Sequence, residues 1–107
     1  MEIINLTPHT ITFVDAENNV VREVPASGTL ARLSTSTKII GEVAGIPITE
    51  TVFGEVEGLP SPETGKIYLV SSLVAQACNE RVDVFIPAES VRDSEGRIIG
   101  CRSLGWI

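Results

Sequence analysis

Residues 90–100 read SVRDSEGRIIG and predict the unit that decides the fold, a β-hairpin. Two short extended segments flank the loop Ser94-Glu95-Gly96, and a three-residue hairpin loop needs positive φ at the position that glycine fills here. Counting back from the loop gives the expected opposite residues: Asp93 with Arg97, Arg92 with Ile98, Val91 with Ile99 and Ser90 with Gly100.

This pairing makes a prediction about the arginine side chains of the hairpin. Because successive side chains of a strand alternate between its faces, Arg92 and Arg102 should lie on the same side of the ribbon, close to Gly100. Arg97 and Cys101 should lie on the other side.

The rest of the chain also favours β-structure. Residues 15–19, with the sequence DAENN, are typical of a turn and predict a hairpin that leads into Val20-Val21. The expected strands are Ile3–Val14, which Pro8 can interrupt, Thr29–Leu33, Lys38–Val43 paired with Ile48–Glu55 across Ala44-Gly45, Lys66–Val70, and Arg81–Ile86, which Pro87 ends.

One short helix is expected after the strand that ends at Val70. Ser71-Ser72 is a typical cap, residues 73–78 read LVAQAC, and Asn79 can close the helix in the left-handed conformation. Apolar residues surround nearly the whole circumference, so either the core or a second copy of the chain must cover the helix. The prediction is therefore a single mainly β domain (β-rich α+β) over residues 1–107, with about six or seven strands in antiparallel hairpins and one short buried helix.

Composition and charge exclude several classes of function. The net charge of −6 argues against non-specific binding to duplex nucleic acid. No segment is apolar and long enough to cross a membrane, and the N-terminal residues lack the pattern of a signal peptide, so a cytoplasmic location is expected. Cys78 and Cys101 are expected to be small buried side chains rather than a disulfide.

The sequence contains no catalytic signature. His9 is the only histidine, with no Cys-x-x-Cys pair to complete a zinc site and no nucleophile motif beside it. No phosphate-binding glycine loop is present, so neither a metal nor a cofactor is expected. These observations predict a protein that is not an enzyme.

The concentration of arginine near the C-terminus is the strongest functional signal. Residues 1–65 contain nine acids and three bases, whereas residues 66–107 contain five of each, including Arg81, Arg92, Arg97 and Arg102. Guanidinium groups bind phosphate and carboxylate through a planar fork of donors. We expect these four arginines, with Gly100 as the floor of a recess, to bind an anionic ligand. The alternative is that they form surface ion pairs, Arg97 with Asp93 and Arg81 with Asp83 or Glu80.

Several segments together resemble a group of small proteins of phages and prophages. They are Asn5–His9, Phe53–Pro60, Tyr68–Ala75, Val91–Asp93 and Gly100–Arg102. The chain is similar to the Thoeris anti-defence sponge proteins, which sequester a nucleotide messenger. The resemblance implies a small β-rich oligomer that binds a cyclic ADP-ribose-type signal without cleaving it, with cyclic oligonucleotides as ligands of a second site. It assigns no individual binding residues.

Three functions follow, in order of preference. The first is a non-enzymatic phage-type protein that sequesters an anionic nucleotide immune signal in the host cytoplasm, as a dimer or higher homo-oligomer. The second is a phage structural or protein-interaction module without a small-molecule ligand, in which the arginines pair with acids. The third is a small enzyme that acts on a nucleotide.

Overall fold

The computed structural model describes all residues from Met1 to Ile107 and contains eight strands and one helix. In chain order the elements are β1 (Glu2–Asn5), β2 (Ile11–Val14), β3 (Val20–Val24), β4 (Arg32–Val43), β5 (Ile46–Glu57), β6 (Lys66–Leu69), α1 (Ser72–Ala77), β7 (Val84–Arg92) and β8 (Ile98–Gly105). The mainly β prediction is confirmed. The first predicted strand is divided, because the segment around Pro8 loops out between β1 and β2.

Six strands form one sheet in the order β1-β6-β7-β8-β2-β3. The hairpins β2–β3 and β7–β8 are antiparallel, as predicted, but β1–β6, β6–β7 and β2–β8 are parallel. Parallel neighbours need a crossover connection, and α1 with its flanking loops provides one between β6 and β7. The predicted antiparallel hairpins are present, and the three parallel pairings, which join strands that no tight turn connects, were not predicted.

The core lies between the helix and the sheet. Tyr68, Val70 and Val74 belong to its main cluster, which also includes Leu6 and Cys78. The Ser71 hydroxyl caps the helix by accepting a hydrogen bond from the Val74 amide. The core covers the side of the helix that carries Val74 and Ala75, whereas Leu73 is 44% exposed, so the expected burial on more than one side is not found within the chain. No helix in the structure has the length or apolar character needed to cross a membrane.

Three local expectations are corrected or confirmed near the helix and β7. Cys78, not Asn79, closes the helix, and its amide donates to the Ala75 carbonyl. Cys78 and Cys101 are both buried and unbonded, as expected. Pro87 does not end the strand, because β6 pairs only with Val84 and Phe85 of β7 and leaves that edge free at the proline.

The remaining two strands form a separate two-stranded sheet. β4 and β5 pair along almost their whole length and turn at Ala44-Gly45, where both residues have positive φ. The predicted turn is confirmed, but the predicted strand Thr29–Leu33 is wrong in its start, since β4 begins at Arg32 and continues to Val43. We call residues 32–57 the arm. At about 3.3 Å per residue, each of its twelve-residue strands is about 40 Å long.

Candidate functional site

Two of the four predicted arginines are neutralised by carboxylates. Arg81 lies against Asp83 through two hydrogen bonds of 2.8 Å each, and it also donates to the Pro60 carbonyl. Arg97 contacts Asp93 at 3.2 Å and Glu95 at 2.6 Å. The two ion pairs predicted as the alternative, Arg97 with Asp93 and Arg81 with Asp83, are confirmed.

Electrostatics support the ion-pair description of Arg81. The guanidinium of Arg81 lowers the pKa of Asp83 through hydrogen bonding, and Asp83 in turn raises the pKa of Arg81. Both side chains are largely buried. The Trp106 indole donates to the Arg81 carbonyl, which fixes the C-terminal end of the chain beside this pair. Arg81 thus has a structural role at the end of the helix connection.

The other two arginines contact neutral oxygen atoms. Arg92 donates one hydrogen bond of 2.7 Å to the Gly96 carbonyl at the hairpin loop. Arg102 donates to the Asp15 carbonyl and to the Asn18 side chain in the β2–β3 turn. The guanidinium groups of Arg92 and Arg102 are therefore directed to two different loops.

A β-bulge explains why these two arginines do not converge. Arg92 lies opposite Ile98, as predicted, but Val91 lies opposite Gly100 because Ile99 is an extra residue in β8. One inserted residue reverses the alternation of every side chain beyond it. Arg92 and Arg102 therefore lie on opposite faces of the β7–β8 ribbon, and the prediction that they share one face is wrong.

The largest cavity is a groove at one end of the β2–β8 pair, with a volume of about 440 Å³. β2 and β8 are bridged only at Phe13 and Cys101, and the groove lies beside the residues that precede this bridge in both strands. Its lining residues are His9, Thr10, Ile11, Thr12, Pro87, Ser90, Ile98, Ile99, Gly100 and Cys101. We call this cavity the β2–β8 groove.

Two residues of the predicted site lie in or next to this groove. Gly100 is part of the lining, and a Cβ at this position would lie 3.0 Å from the Thr12 carbonyl oxygen. The missing side chain therefore lets β8 approach β2 closely. Arg92 lies opposite the lining residue Ile98 and two residues from Ser90 on β7. Arg92 therefore lies next to the lining without being part of it, and it has no carboxylate partner.

Asn5 holds the loop that contains the groove residue His9. The sequence analysis did not predict this role of Asn5. Its buried amide nitrogen donates to the His9 carbonyl at 2.6 Å and to the Val24 carbonyl at 3.0 Å. Its amide oxygen accepts from the Thr7 amide and hydroxyl. In the sequence, Asn5 and Thr7 have only the pattern of a glycosylation motif, and nothing there indicates the bond from Asn5 to Val24, 19 residues away.

One residue next to the groove lining has a strained backbone. Glu89, which precedes the lining residue Ser90, has a φ of 56°, a conformation that non-glycine residues rarely adopt and that is enriched at functional sites.

Burial raises the pKa of the Cys101 thiol, and its sulfur lies 3.7 Å from the Thr12 carbonyl oxygen. The thiol therefore stays protonated near neutral pH and is a poor nucleophile.

The groove can therefore hold a ligand through hydroxyl groups and apolar side chains, and Arg92 lies next to its lining. Its volume lies within the range of small-molecule sites, roughly 300–1,000 Å³. Comparisons of this chain with protein-family models, curated proteins and solved structures find no match.

Proposed function

We propose that this protein binds and sequesters an anionic nucleotide signal in the β2–β8 groove and, as a phage-type protein in the cytoplasm of its host, inhibits an immune response. The single observation that carries this proposal is Arg92, which has no carboxylate partner and lies opposite Ile98 of the groove lining. The sequence resemblance to nucleotide-sequestering phage proteins contributes the class of ligand. A cyclic ADP-ribose-type molecule or a cyclic oligonucleotide fits this chemistry.

Arg92 and the groove residues would contact different parts of such a ligand. Only one hydrogen bond occupies Arg92, so other donors of its guanidinium fork remain for phosphate oxygens. Thr10, Thr12 and Ser90 supply hydroxyls of the kind that bind ribose or base edges, and Ile98 supplies an apolar surface for a base.

Sequestration without turnover agrees with the groups around the groove. His9 has no hydrogen bond from its ring to a carboxylate, and Cys101 is held as a thiol. General base and nucleophile pairs need mutual contact and an orienting acid, and the groove offers neither. We therefore propose binding without catalysis.

A thermal-shift series tests the proposal with ADP-ribose, cyclic ADP-ribose isomers and cyclic di- and trinucleotides as probes. A ligand that binds only the folded protein stabilises it by about 2.7 kcal/mol at a concentration of 100 times its Kd, so at least one probe should raise the melting temperature by several degrees. Chromatography of the heated complex should return the probe intact. Recovery of cleaved nucleotide would identify an enzyme instead.

Arg92→Ala and Arg92→Lys locate the site. Removing a charge-assisted hydrogen bond should weaken binding of the active probe by about 10- to 100-fold, and lysine should restore only part of it, since it lacks the fork. Arg22→Ala is the matched control, because Arg22 is an exposed arginine outside the groove lining. Equal affinity of the Arg92 variants and the wild type would refute this site.

A second function is favoured by a different observation, the exposed apolar side chains of the arm. They suit a structural or protein-interaction module of a phage, in which the arginines serve only the fold. If no probe shifts the melting temperature and the protein instead assembles through the arm, this second function should replace the first.

A further inference from the structure

The outer part of the arm has one face made largely of aliphatic side chains. From Ile46 to Phe53 the side chains of β5 alternate strictly, so Ile46, Ile48 and Val52 lie on one face together with Glu50. Pro47, Thr49, Thr51 and Phe53 lie on the opposite face of this stretch, and a bulge at Gly54-Glu55 separates it from Val56. Across the ribbon, Val43 lies opposite Ile46 and so belongs to the first face. We call Val43, Ile46, Ile48 and Val52 the apolar face of the arm.

The apolar face of the arm is exposed to solvent along its length. At the base of the arm, the paired residues Leu33 and Val56 pack against the core cluster, and the bulge in β5 puts them on the other face of the ribbon. On the apolar face, Val52 and Ile48 are 44% and 39% exposed, and Val43 and Ile46 at the tip are 62% and 67% exposed. A surface of this kind normally marks an interaction site.

The shape of the chain shows how much surface is left uncovered. The radius of gyration is 17.0 Å, whereas a compact chain of this length has about 13 Å. The accessible surface is 7108 Å², compared with about 5,800 Å² for a compact monomer of this mass. The excess is larger than the roughly 800 Å² that each partner buries in a standard interface. A two-stranded ribbon without a partner is also only marginally stable in water.

The charges on the apolar face fit a second copy of the same chain. Lys38 and Glu50 lie opposite each other on this face, and neither forms an ion pair within the chain. A twofold axis brings the same patch of two chains together, so residue i of one copy contacts residue j of the other and the reverse. Two apolar faces related in this way can place Lys38 of each copy beside Glu50 of its partner.

We propose that the arm is a dimerisation element, and that the apolar faces of two copies pack against each other about a twofold axis with reciprocal Lys38–Glu50 ion pairs. This inference is independent of the groove and of the ligand proposed for it. It assigns a function to a segment that neither the arginines nor the core explain.

Sedimentation velocity over a range of protein concentrations tests the proposal. The wild type should sediment as a dimer at micromolar concentration, and Ile48→Glu together with Val52→Glu should sediment as a folded monomer. The matched control, Thr49→Glu together with Thr51→Glu, adds the same two charges to the same strand on the opposite face and should remain dimeric. A wild type that stays monomeric would overturn the proposal, whatever the variants do.

A charge-reversal pair tests the reciprocal contact without adding charges to the apolar core of the interface. Lys38→Glu and Glu50→Lys should each weaken the homodimer by about tenfold or more, because each makes the two copies repel. An equimolar mixture of the two variants should restore a heterodimer. If each variant dimerises as well as the wild type, or the mixture restores nothing, the twofold arrangement is wrong.

Discussion

Replacement of Asn5 by alanine should destabilise the fold and open one end of the β2–β8 groove. The Asn5 amide group joins three parts of the chain: the loop through Thr7, the His9 carbonyl at 2.6 Å and the Val24 carbonyl of β3 at 3.0 Å. Asn5 is 1% exposed, and all of its polar atoms are satisfied. When the amide is removed, the Val24 carbonyl loses this side-chain donor, whereas the His9 carbonyl keeps the Thr7 hydroxyl as a donor at 3.1 Å.

The size of the effect follows from how deeply each bond is buried. The Val24 carbonyl bond is fully buried, and a carbonyl left without a partner there costs about 1–3 kcal/mol. The bonds to His9 and Thr7 are partly buried, and each contributes about 0.5–1.5 kcal/mol net. Together they predict a loss of roughly 3 kcal/mol in the free energy of unfolding, a large part of the roughly 5–15 kcal/mol of a typical domain.

Urea unfolding followed by circular dichroism measures this loss, with Thr7→Ala as the graded control. Thr7→Ala removes only the threonine hydroxyl bonds, so its cost should stay near 1 kcal/mol. Hydrogen exchange of Thr10 and Thr12 should accelerate in the Asn5 variant, because the loop that leads into β2 is released. Equal free energies of unfolding for the two variants would refute the reasoning, because the amide group of Asn5 would then add no stability beyond the threonine hydroxyl bonds.

Two further predictions concern the ion pair near the helix and the base of the arm. Asp83→Asn should lower the free energy of unfolding by about 2 kcal/mol at pH 7. Because Arg81 lowers the pKa of Asp83, this loss should shrink as the pH falls below about 4. A loss that stays constant in urea titrations from pH 7 to pH 2.5 would contradict this. Gly58→Ala and Gly65→Ala both place alanine at positive φ, but only a Cβ at position 58 would overlap the Leu30 carbonyl. Gly58→Ala should therefore melt several degrees lower than Gly65→Ala. Equal melting temperatures would exclude the clash.

Local sequence patterns predicted local structure well. The turn residues 15–19 and 94–96, the helix cap at Ser71 and the arm turn at Ala44-Gly45 all depend on neighbours in the chain, and each was correctly predicted. The parallel pairings were missed because they join β1 to β6 and β2 to β8 over long chain separations, and no turn motif records them.

The candidate site shows the same limit on a smaller scale. The ion pairs of Arg81 and Arg97 involve acids two to four residues away and were accessible to sequence reasoning. The extra residue Ile99 was not, because a bulge is set by what the strand packs against and not by its own composition. That one residue places Arg92 and Arg102 on opposite faces of the ribbon, so the predicted pair of arginines does not form.

The groove and the arm can be tested separately because they share no residues. The groove is lined by residues 9–12, 87, 90 and 98–101, whereas the arm consists of residues 32–57. Substitutions far apart and without common partners have nearly additive effects, so Arg92→Ala should leave the dimer intact and the Ile48/Val52 glutamate variant should keep a complete groove. If the glutamate variant also lost ligand affinity, the binding site would have to include residues of the second copy. Because each function has variants of its own, the failure of either proposal would leave the other standing.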